Sequence, residues 1–149
     1  MKLSLNWIKE YIDLPEVSYE QLAYDLTMST VEVESMTRTA KEYENMVLGE
    51  IIEVVPHPNA DKLRITKVDV GEVVQIVCGG SNLEVGQKVA VALPGSFVRW
   101  HGEGELVAIK EGNLRGVDSF GMIMASNEMG LEGLFPAKEK EIMDLSYLK

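Results

Sequence analysis

The 149 residues carry 14 basic and 24 acidic side chains, so the formal net charge is −10, and 46% of the residues are hydrophobic. This length accommodates one ordinary domain with a small appendage, and the apolar fraction excludes an intrinsically disordered chain. The acidic excess excludes a broadly basic nucleic-acid binder, so any RNA-binding face must be a local patch.

The chain offers few residues for disulfide or metal chemistry. Cys78 is its one cysteine, which excludes an internal disulfide and a cysteine-cluster metal site. His57 and His101 are too scattered to supply the three or four ligands that a metal site needs. No segment approaches the ~18–20 unbroken apolar residues of a membrane span, and polar residues interrupt the N-terminal stretch, so it is not a signal peptide. We therefore expect a cytoplasmic protein with no metal and no membrane partner.

Residues 1–38 are predicted to form two helices and a strand. Ser4 is a candidate N-cap for the first helix. Ser18 and Gln21 fit a capping box for the second, in which Gln21 reaches back to the cap. The second helix carries an apolar stripe at Leu22, Ala23 and Leu26. The alternation in Val31–Ser35 predicts a strand, and the polar residues 39–45 predict a linker.

From Met46 onward the hydrophobic period changes to two, which predicts a β-barrel over residues 46–149. Val47–Val55 is the first predicted strand. Lys62–Val70 is the second, and a parity switch within it predicts a β-bulge at Thr66-Lys67. Further inward-facing strand positions are Val74, Ile76 and Cys78, then Val89, Val91 and Leu93. A weak pair of strands is predicted between Leu106 and Val117, separated by Gly112-Asn113.

Five or six short strands with a long third connection are typical of a small Greek-key barrel, and the oligonucleotide-binding fold is the commonest at this size. The predicted fold class is therefore α+β. It combines a small N-terminal helix-helix-strand segment with a Greek-key, oligonucleotide-binding-type β-barrel. A last helical turn is expected at Ser126–Leu131.

Several motifs follow one another along the predicted barrel. They are His57–Arg64, Val68–Gly71, Gln75–Gly79, Asn82, Leu114–Val117, Ser119 and Glu128–Leu131, and they are preceded by Lys2–Tyr11. In this order and spacing the chain resembles the β subunits of phenylalanyl-tRNA synthetases. The first motif is also similar to one in methionyl-tRNA synthetases and in free-standing tRNA-binding proteins. The family usually has other residues at Gly80-Ser81 and at Met124-Ala125.

This resemblance implies a tRNA-binding accessory module of an ATP-dependent ligase, contributing to phenylalanyl-tRNA aminoacylation. It implies no catalytic site and no cofactor in this chain, because ATP and Mg²⁺ belong to other parts of such an enzyme. The implied partners are tRNA, the synthetase α subunit and the rest of the β subunit. In that family the barrel is inserted within another small domain, so we also expect self-association of a chain that holds only the first part of that domain.

Three alternatives remain open at this point. The barrel could be a structural scaffold with little RNA contact, which the net charge favours, or a free-standing tRNA-binding protein. An independent enzyme would use Cys78 as nucleophile with a histidine as base. We favour a buried structural thiol for Cys78, because it closes an alternating apolar strand.

Six cations and two aromatic residues are the candidate RNA contacts. They are Lys62, Arg64, Lys67, Lys88, Phe97, Arg99, Trp100 and Arg115. Lys62 and Arg64 share strand parity, so we expect them to project from one face. Phe97 and Trp100 are predicted in a loop, where they could stack on bases.

Six other residues are expected to have structural roles in turns and motifs. They are His57, Asn59, Asp61, Cys78, Asn82 and Ser119. His57 is expected to cap the turn that follows it or to hydrogen-bond Asp61. The Asp61 side chain is expected to accept backbone N–H bonds within that turn.

Overall fold

The computed structural model describes residues 3–37, 42–102 and 104–148, and the chain divides into two compact units, Met1–Arg38 and Thr39–Lys149. The first unit contains the helices α1 (Leu5–Ile8) and α2 (Tyr19–Ser29). The strands of the second unit are β1 (Met46–His57), β2 (Ala60–Asp69), β3 (Val73–Cys78), β4 (Lys88–Ala92), β5 (Phe97–Arg99), β6 (Leu106–Ala108), β7 (Gly112–Leu114), β8 (Val117–Ser119) and β9 (Met122–Ile123). Short 3₁₀ turns lie at Trp100–Gly102 and Asn127–Met129.

Both helices of the first unit begin at the predicted caps. The hydroxyl of Ser4 accepts a hydrogen bond from the Trp7 N–H, and the Ser18 hydroxyl accepts one from the Gln21 N–H. The second half of the capping box is wrong: among the described residues the Gln21 side-chain oxygen accepts no bond from the Ser18 N–H, and Gln21 Nε2 donates to Asp25 at 2.8 Å. This (i, i+4) pair directs the Gln21 side chain along the helix rather than back to the cap.

Two further predictions for the first unit are wrong. Val31–Ser35 forms no strand, and the Val33 N–H donates to the Thr27 hydroxyl rather than to a neighbouring strand. The predicted stripe of α2 is not buried: Leu22 and Ala23 are half-buried and Leu26 is 37% exposed. Alternation along a strand can be satisfied only by a sheet partner, which residues 31–35 lack among the described residues.

The second unit is built on an antiparallel five-stranded sheet in the order β3-β2-β1-β4-β9. Its main core consists of inward-facing side chains from neighbouring strands, most of them β-branched, including Ile51, Val68, Ile76, Val89 and Val91. This unit is therefore a small, mostly antiparallel β domain with few helical residues. The predicted inward positions of β3 and β4 are confirmed at Ile76, Cys78, Val89 and Val91.

The predicted bulge at Thr66-Lys67 is wrong, although the sheet does contain a bulge nearby. β2 pairs with β3 without a register shift. The extra residue is Ile52 of β1, because the register of β1 against β2 shifts between Ile51 and Glu53. A bulge belongs to a strand pair, so the pattern of one strand does not show which partner carries it.

Thr66 explains why the pattern of β2 was misleading. It is fully buried among apolar side chains, and its hydroxyl donates to the carbonyl oxygen of Ile76 at 2.8 Å. This bond satisfies the polar group, so threonine takes an inward position. Leu63 and Ile65 are only half-buried and have the opposite parity.

β4 is buried on both faces. Val89 and Val91 contribute to the main core, whereas Ala90 and Ala92 face a second apolar cluster that contains Val98. The second cluster also contains Met143 and Leu145 from the C-terminal strap, which we define as residues 140–146. The strap was not predicted, and it is tied to β4 by the bond from the Leu145 N–H to the Lys88 carbonyl oxygen.

The strands after β4 differ from their predicted positions. Gly112-Asn113 lies inside β7, and the turn of the β7–β8 hairpin is at Arg115-Gly116. β6 pairs with β5 rather than with β7. Phe97 lies in a strand rather than in the predicted loop. The helical turn at Ser126–Leu131 is confirmed as a short 3₁₀ turn.

The segment from β8 to β9 connects one edge of the sheet, β3, to the other edge, which is β9 itself. The Phe120 N–H donates to the Gln75 carbonyl oxygen of β3 at 2.9 Å, and the Ser119 hydroxyl accepts from the Val77 N–H. β9 then pairs with β4, with Ile123 opposite Val91. The described strands do not form a continuous closed ladder, but the chain between Ser119 and Ile123 runs from the β3 edge of the sheet to its β9 edge.

Candidate nucleic-acid interface

Two hairpin tips meet at the C-terminal end of β1. His57 is 5% exposed, and its Nε2 lies 3.0 Å from the carbonyl oxygen of Leu114, while the Asn59 N–H donates to its Nδ1 at 3.0 Å. The Asn59 side-chain amide donates to the Arg115 carbonyl oxygen at 3.1 Å, and Arg115 Nη1 donates back to the Asn59 carbonyl oxygen at 3.4 Å. We call these four residues, His57, Asn59, Leu114 and Arg115, the tip clamp. His57 thus caps the turn through Asn59 rather than contacting Asp61.

The second tip is a two-residue hairpin turn with an unusual composition. Arg115 has φ 51° and Gly116 has φ 94°, the signs that a type I′ turn requires at its two central positions. The left-handed conformation costs a residue with a Cβ roughly 1–2 kcal/mol. Asn113 supports the turn by accepting the Gly116 N–H at 2.8 Å and donating to Asp118 at 2.7 Å. The clamp bonds offset the cost of placing arginine here.

Three predicted RNA contacts lie together around the clamp. Lys62 is exposed, and Arg64 is half-buried with Nη1 bonded to the carbonyl oxygens of Leu63 and Asp61. Arg115 donates to the carbonyl oxygen of Asn59. Asn59 and Asp61 are two positions apart, so their α-carbons are separated by at most about 7 Å. We call Lys62, Arg64 and Arg115 the tip cations. Among the described residues, the ion pairs involve other side chains.

Two other predicted cations lie beside acidic residues. Lys67 Nζ is 2.6 Å from a carboxylate oxygen of Glu53, its approximate cross-strand neighbour in β1. Lys88 is half-buried and lies opposite Glu50 in the register of β1 and β4. Opposite charges at such positions attract and reduce the positive potential available to an anionic ligand. Lys67 and Lys88 are therefore weaker candidates than the tip cations.

The remaining predicted contacts lie at the other end of β1. Phe97 and Trp100 are each 51% exposed, Arg99 is exposed, and Val98 between them is buried. The preceding residue, Ser96, donates to the carbonyl oxygen of Asn45 beside the start of β1. We call Phe97, Arg99 and Trp100 the aromatic end. The structure does not bring it together with the tip cations.

A buried carboxylate near the aromatic end was not singled out from the sequence. Glu128 is 9% exposed, and its carboxylate accepts the Ala125 N–H at 2.9 Å. Burial raises the pKa of the Glu128 carboxyl, and this bond together with the nearby His101 opposes the rise. The expected helical turn at Ser126–Leu131 was the available signal, because a carboxylate within a short turn can accept its backbone N–H groups.

The other motif residues make structural contacts. Cys78 is buried, burial raises the pKa of its thiol, and its Sγ accepts the Gly80 N–H at 3.3 Å, which is a poor setting for a nucleophile. Asn82 exchanges two hydrogen bonds with the backbone of Ile142 in the strap. Among the described residues, Asp61 takes part in the turn through its carbonyl oxygen rather than its carboxylate.

Ser119 and the strap show what the sequence pattern did not reveal. The Ser119 hydroxyl bridges β3 and the start of β9, accepting from Val77 and donating to Gly121. Ile142, Met143 and Leu145 are buried although they follow a charged stretch. The contact between Asn59 and Arg115 joins positions 56 apart, so no local signal identifies it.

The second unit matches a known domain family. Residues 46–146 match a family described as “Putative tRNA binding domain”. The chain belongs to this tRNA-binding domain family. The matched range begins with β1 and ends with the strap, so the sheet, the tip clamp and the aromatic end all lie inside the family domain.

The chain is similar over most of its length to curated proteins. It is 46% identical over 133 residues to the phenylalanine–tRNA ligase beta subunit of Oceanobacillus iheyensis, covering 89% of this chain and 16% of that protein. It is 42% identical over 146 residues to that of Geobacillus kaustophilus, covering 93% of this chain and 17% of that protein. The chain thus spans about a sixth of the length of these curated relatives. The resemblance to phenylalanyl-tRNA synthetase β subunits is confirmed.

Solved structures also match part of the chain. The C-terminal domain of Plasmodium vivax p43 is 30% identical, with a TM-score of 0.41, and the match covers 53% of this chain and 44% of that one.

Within residues 3–37, 42–102 and 104–148, no three His, Cys, Asp or Glu side chains are grouped as metal ligands. No helix in the same described ranges is both long and apolar enough to cross a bilayer.

Proposed function

We propose that the second unit binds tRNA, and that the tip cations contact the RNA backbone. The observation that carries this proposal is the grouping of Lys62, Arg64 and Arg115 at two joined hairpin tips inside a tRNA-binding family domain. Phosphate contacts fix the position of a nucleic acid, and arginine matches phosphate geometry well. A local cationic site of this kind is compatible with a net charge of −10.

We further propose that the sheet is a Greek-key, oligonucleotide-binding-type barrel. The support is the segment from β8 to β9, which bonds to Gln75 of the edge strand β3 and then forms the opposite edge strand, β9, paired with Val91 of β4. The bulge at Ile52 supports it as well, because bulges coil a long strand around a barrel corner. On such a barrel the aromatic end would stack unpaired bases, with Phe97 and Trp100 as the platforms.

In a longer protein of the relatives' kind, the proposed role is in phenylalanine–tRNA ligation. This chain would hold tRNA, while the ATP- and Mg²⁺-dependent chemistry would take place on other parts of the enzyme. The α subunit and the rest of the β subunit would then be its protein partners. We assign no catalytic residue and no cofactor-binding residue to this chain.

A titration of tRNA against the purified chain at several salt concentrations tests the proposal. Counterion release predicts a slope of log affinity against log salt of roughly −2 to −3 for about three phosphate contacts. Lys62→Glu/Arg64→Glu should weaken binding of all tRNAs alike. The matched control is Lys138→Glu/Lys140→Glu, which makes the same charge change at exposed positions elsewhere.

The two variants separate the candidate surfaces. Equal losses in both would indicate a response to net charge rather than a site at the tips. Unchanged binding by Lys62→Glu/Arg64→Glu would move the site to the aromatic end. No binding by the wild-type chain at low salt would favour the second candidate, a scaffold domain, which the pairing of Lys67 with Glu53 and the acidic net charge support.

We also propose that the two units are separable, with residues 1–38 forming one domain and 46–149 the other. Of the proposed linker 39–45, residues 39–41 lie outside the described residues. Tyr43 and Asn45, at the end of this stretch, hydrogen-bond to Met129 and Ser96 within the same unit. Because residues 39–45 are polar and carry no apolar stripe, limited trypsin digestion should cut first at Lys41. Earlier cleavage at Lys62 or at Lys67 would contradict this boundary.

A further inference from the structure

Asn59 holds Arg115 by two hydrogen bonds that run in opposite directions. Its side-chain amide donates to the Arg115 carbonyl oxygen at 3.1 Å, and its own carbonyl oxygen accepts from Arg115 Nη1 at 3.4 Å. The first bond ties down the backbone of Arg115, and the second ties down its guanidinium. Both the turn conformation and the direction of the cation therefore depend on one residue.

His57 fixes Asn59 in turn. A carbonyl oxygen only accepts, so the proton of the His57 ring is on Nε2, which faces Leu114, and Nδ1 accepts from the Asn59 N–H. The ring is buried and bonded on both sides. It thereby sets the position of the Asn59 backbone relative to the second hairpin tip.

The conformation of Arg115 points to a use for this arrangement. Glycine or asparagine adopts φ 51° far more readily than arginine does. A left-handed arginine persists where the surrounding bonds determine it, and such outliers cluster at functional sites. Glycine at this position would relieve the turn but would remove the cation.

We propose that Asn59 and His57 are positioning residues that hold the Arg115 guanidinium beside Lys62 and Arg64 for an RNA phosphate. This inference rests on the proposed tRNA binding. Arg115 contacts the phosphate, and Asn59 and His57 act through Arg115. The bond to Asn59 uses one N–H of Arg115, on Nη1. A guanidinium has five N–H groups, so the others can donate to the ligand.

Asn59→Ala tests the proposal with little risk to the fold. Asn59 is exposed, and the substitution removes only the side-chain bond, leaving both backbone bonds in place. We expect tRNA affinity to fall about threefold to tenfold and the salt slope to become shallower, in the same direction as for Arg115→Ala but by less than the change of about one expected there. In the Arg115→Ala background, Asn59→Ala should have no further effect. Additive losses would overturn the proposal.

Asn127→Ala is the matched control. Asn127 is also exposed, and its amide also donates to a backbone carbonyl oxygen, that of His101, at 3.0 Å. It lies near the aromatic end rather than the tips, so its loss should leave the salt slope unchanged. A salt slope that falls equally in Asn127→Ala and Asn59→Ala would show a general effect of losing a loop bond, and would overturn the proposal.

Amide ¹⁵N relaxation without RNA supplies the second readout. In Asn59→Ala we expect faster motion at Arg115 and Gly116 and unchanged motion at the Gly71-Glu72 turn, whose bonds to described residues go to Asp69 and Val70. An unchanged Arg115 amide would overturn the positioning role even if affinity fell. A wild-type chain that binds no tRNA, with a mobile Arg115 in the variant, would instead overturn the proposed function and leave Asn59 as a structural clamp.

Discussion

The first unit and the sheet unit bury their apolar side chains to very different extents. Neither helix of the first unit contains a buried residue, and Trp7, Tyr11 and Ile12 are each more than half exposed. In the sheet unit Ile51, Ile76 and other core side chains are fully buried. Local caps are therefore enough to set where helices begin, whereas stability requires apolar contacts between distant parts of the chain.

Hydrogen exchange should show the largest contrast between the two units. α2 has 11 residues and no buried side chain, and helices of this length are marginal by themselves in water. Amides of the central strand β1 should open only with global unfolding. We expect protection in β1 to exceed that in α2 by a factor of about 10³ or more. Comparable protection in the two elements would contradict this contrast.

A pair of truncations should sharpen the contrast in equilibrium stability. Ile76→Ala removes a fully buried side chain from the main core, which should cost about 2–5 kcal/mol in the free energy of unfolding. Ile12→Ala removes a 56% exposed side chain and should cost about 0.5 kcal/mol or less. Urea unfolding of both variants measures the difference. Equal losses would mean that the first unit has a core of its own.

A smaller, pH-dependent effect is expected at Glu128 in the sheet unit. Its pKa is raised by burial, so its contribution to stability is present below the ordinary glutamate pKa and is lost as pH rises through the raised value. Glu128→Gln should match the wild type in acid and exceed it at neutral pH, by about 1 kcal/mol. Thermal unfolding across that pH range measures it. A variant that is less stable at neutral pH would show that the Ala125 bond outweighs burial.

Features that depend on neighbouring residues could be predicted from the sequence, whereas features that depend on distant partners could not. The caps at Ser4 and Ser18 and the inward positions of β3 depend on neighbouring residues, and they were predicted correctly. Val31–Ser35 has the alternation of a strand but no partner within the described residues. The bulge depended on β1 as much as on β2, so it was assigned to the wrong strand.

The candidate site shows the same limit. Residue type alone nominated Lys62, Arg64 and Arg115, but also Lys67 and Lys88, which lie beside Glu53 and Glu50. Cross-strand register separates these two groups, and it is not visible in one strand. Arg115 gave no turn signal, because arginine is an unusual residue at a positive φ. The clamp that permits this conformation comes from the other hairpin tip.

The mutual bonds between Asn82 and Ile142 also constrain the order in which the domain can form. The side-chain amide of Asn82 donates one hydrogen bond to Ile142 and accepts one from it, as a residue of a neighbouring strand would, so the strap docks on it as on the edge of a strand. Ile142 belongs to the main core, yet it is synthesised 60 residues after Asn82. At about 5–20 residues per second, translation leaves that part of the core uncovered for roughly 3–12 s. The sheet must stay soluble through this interval before Ile142 can cover it.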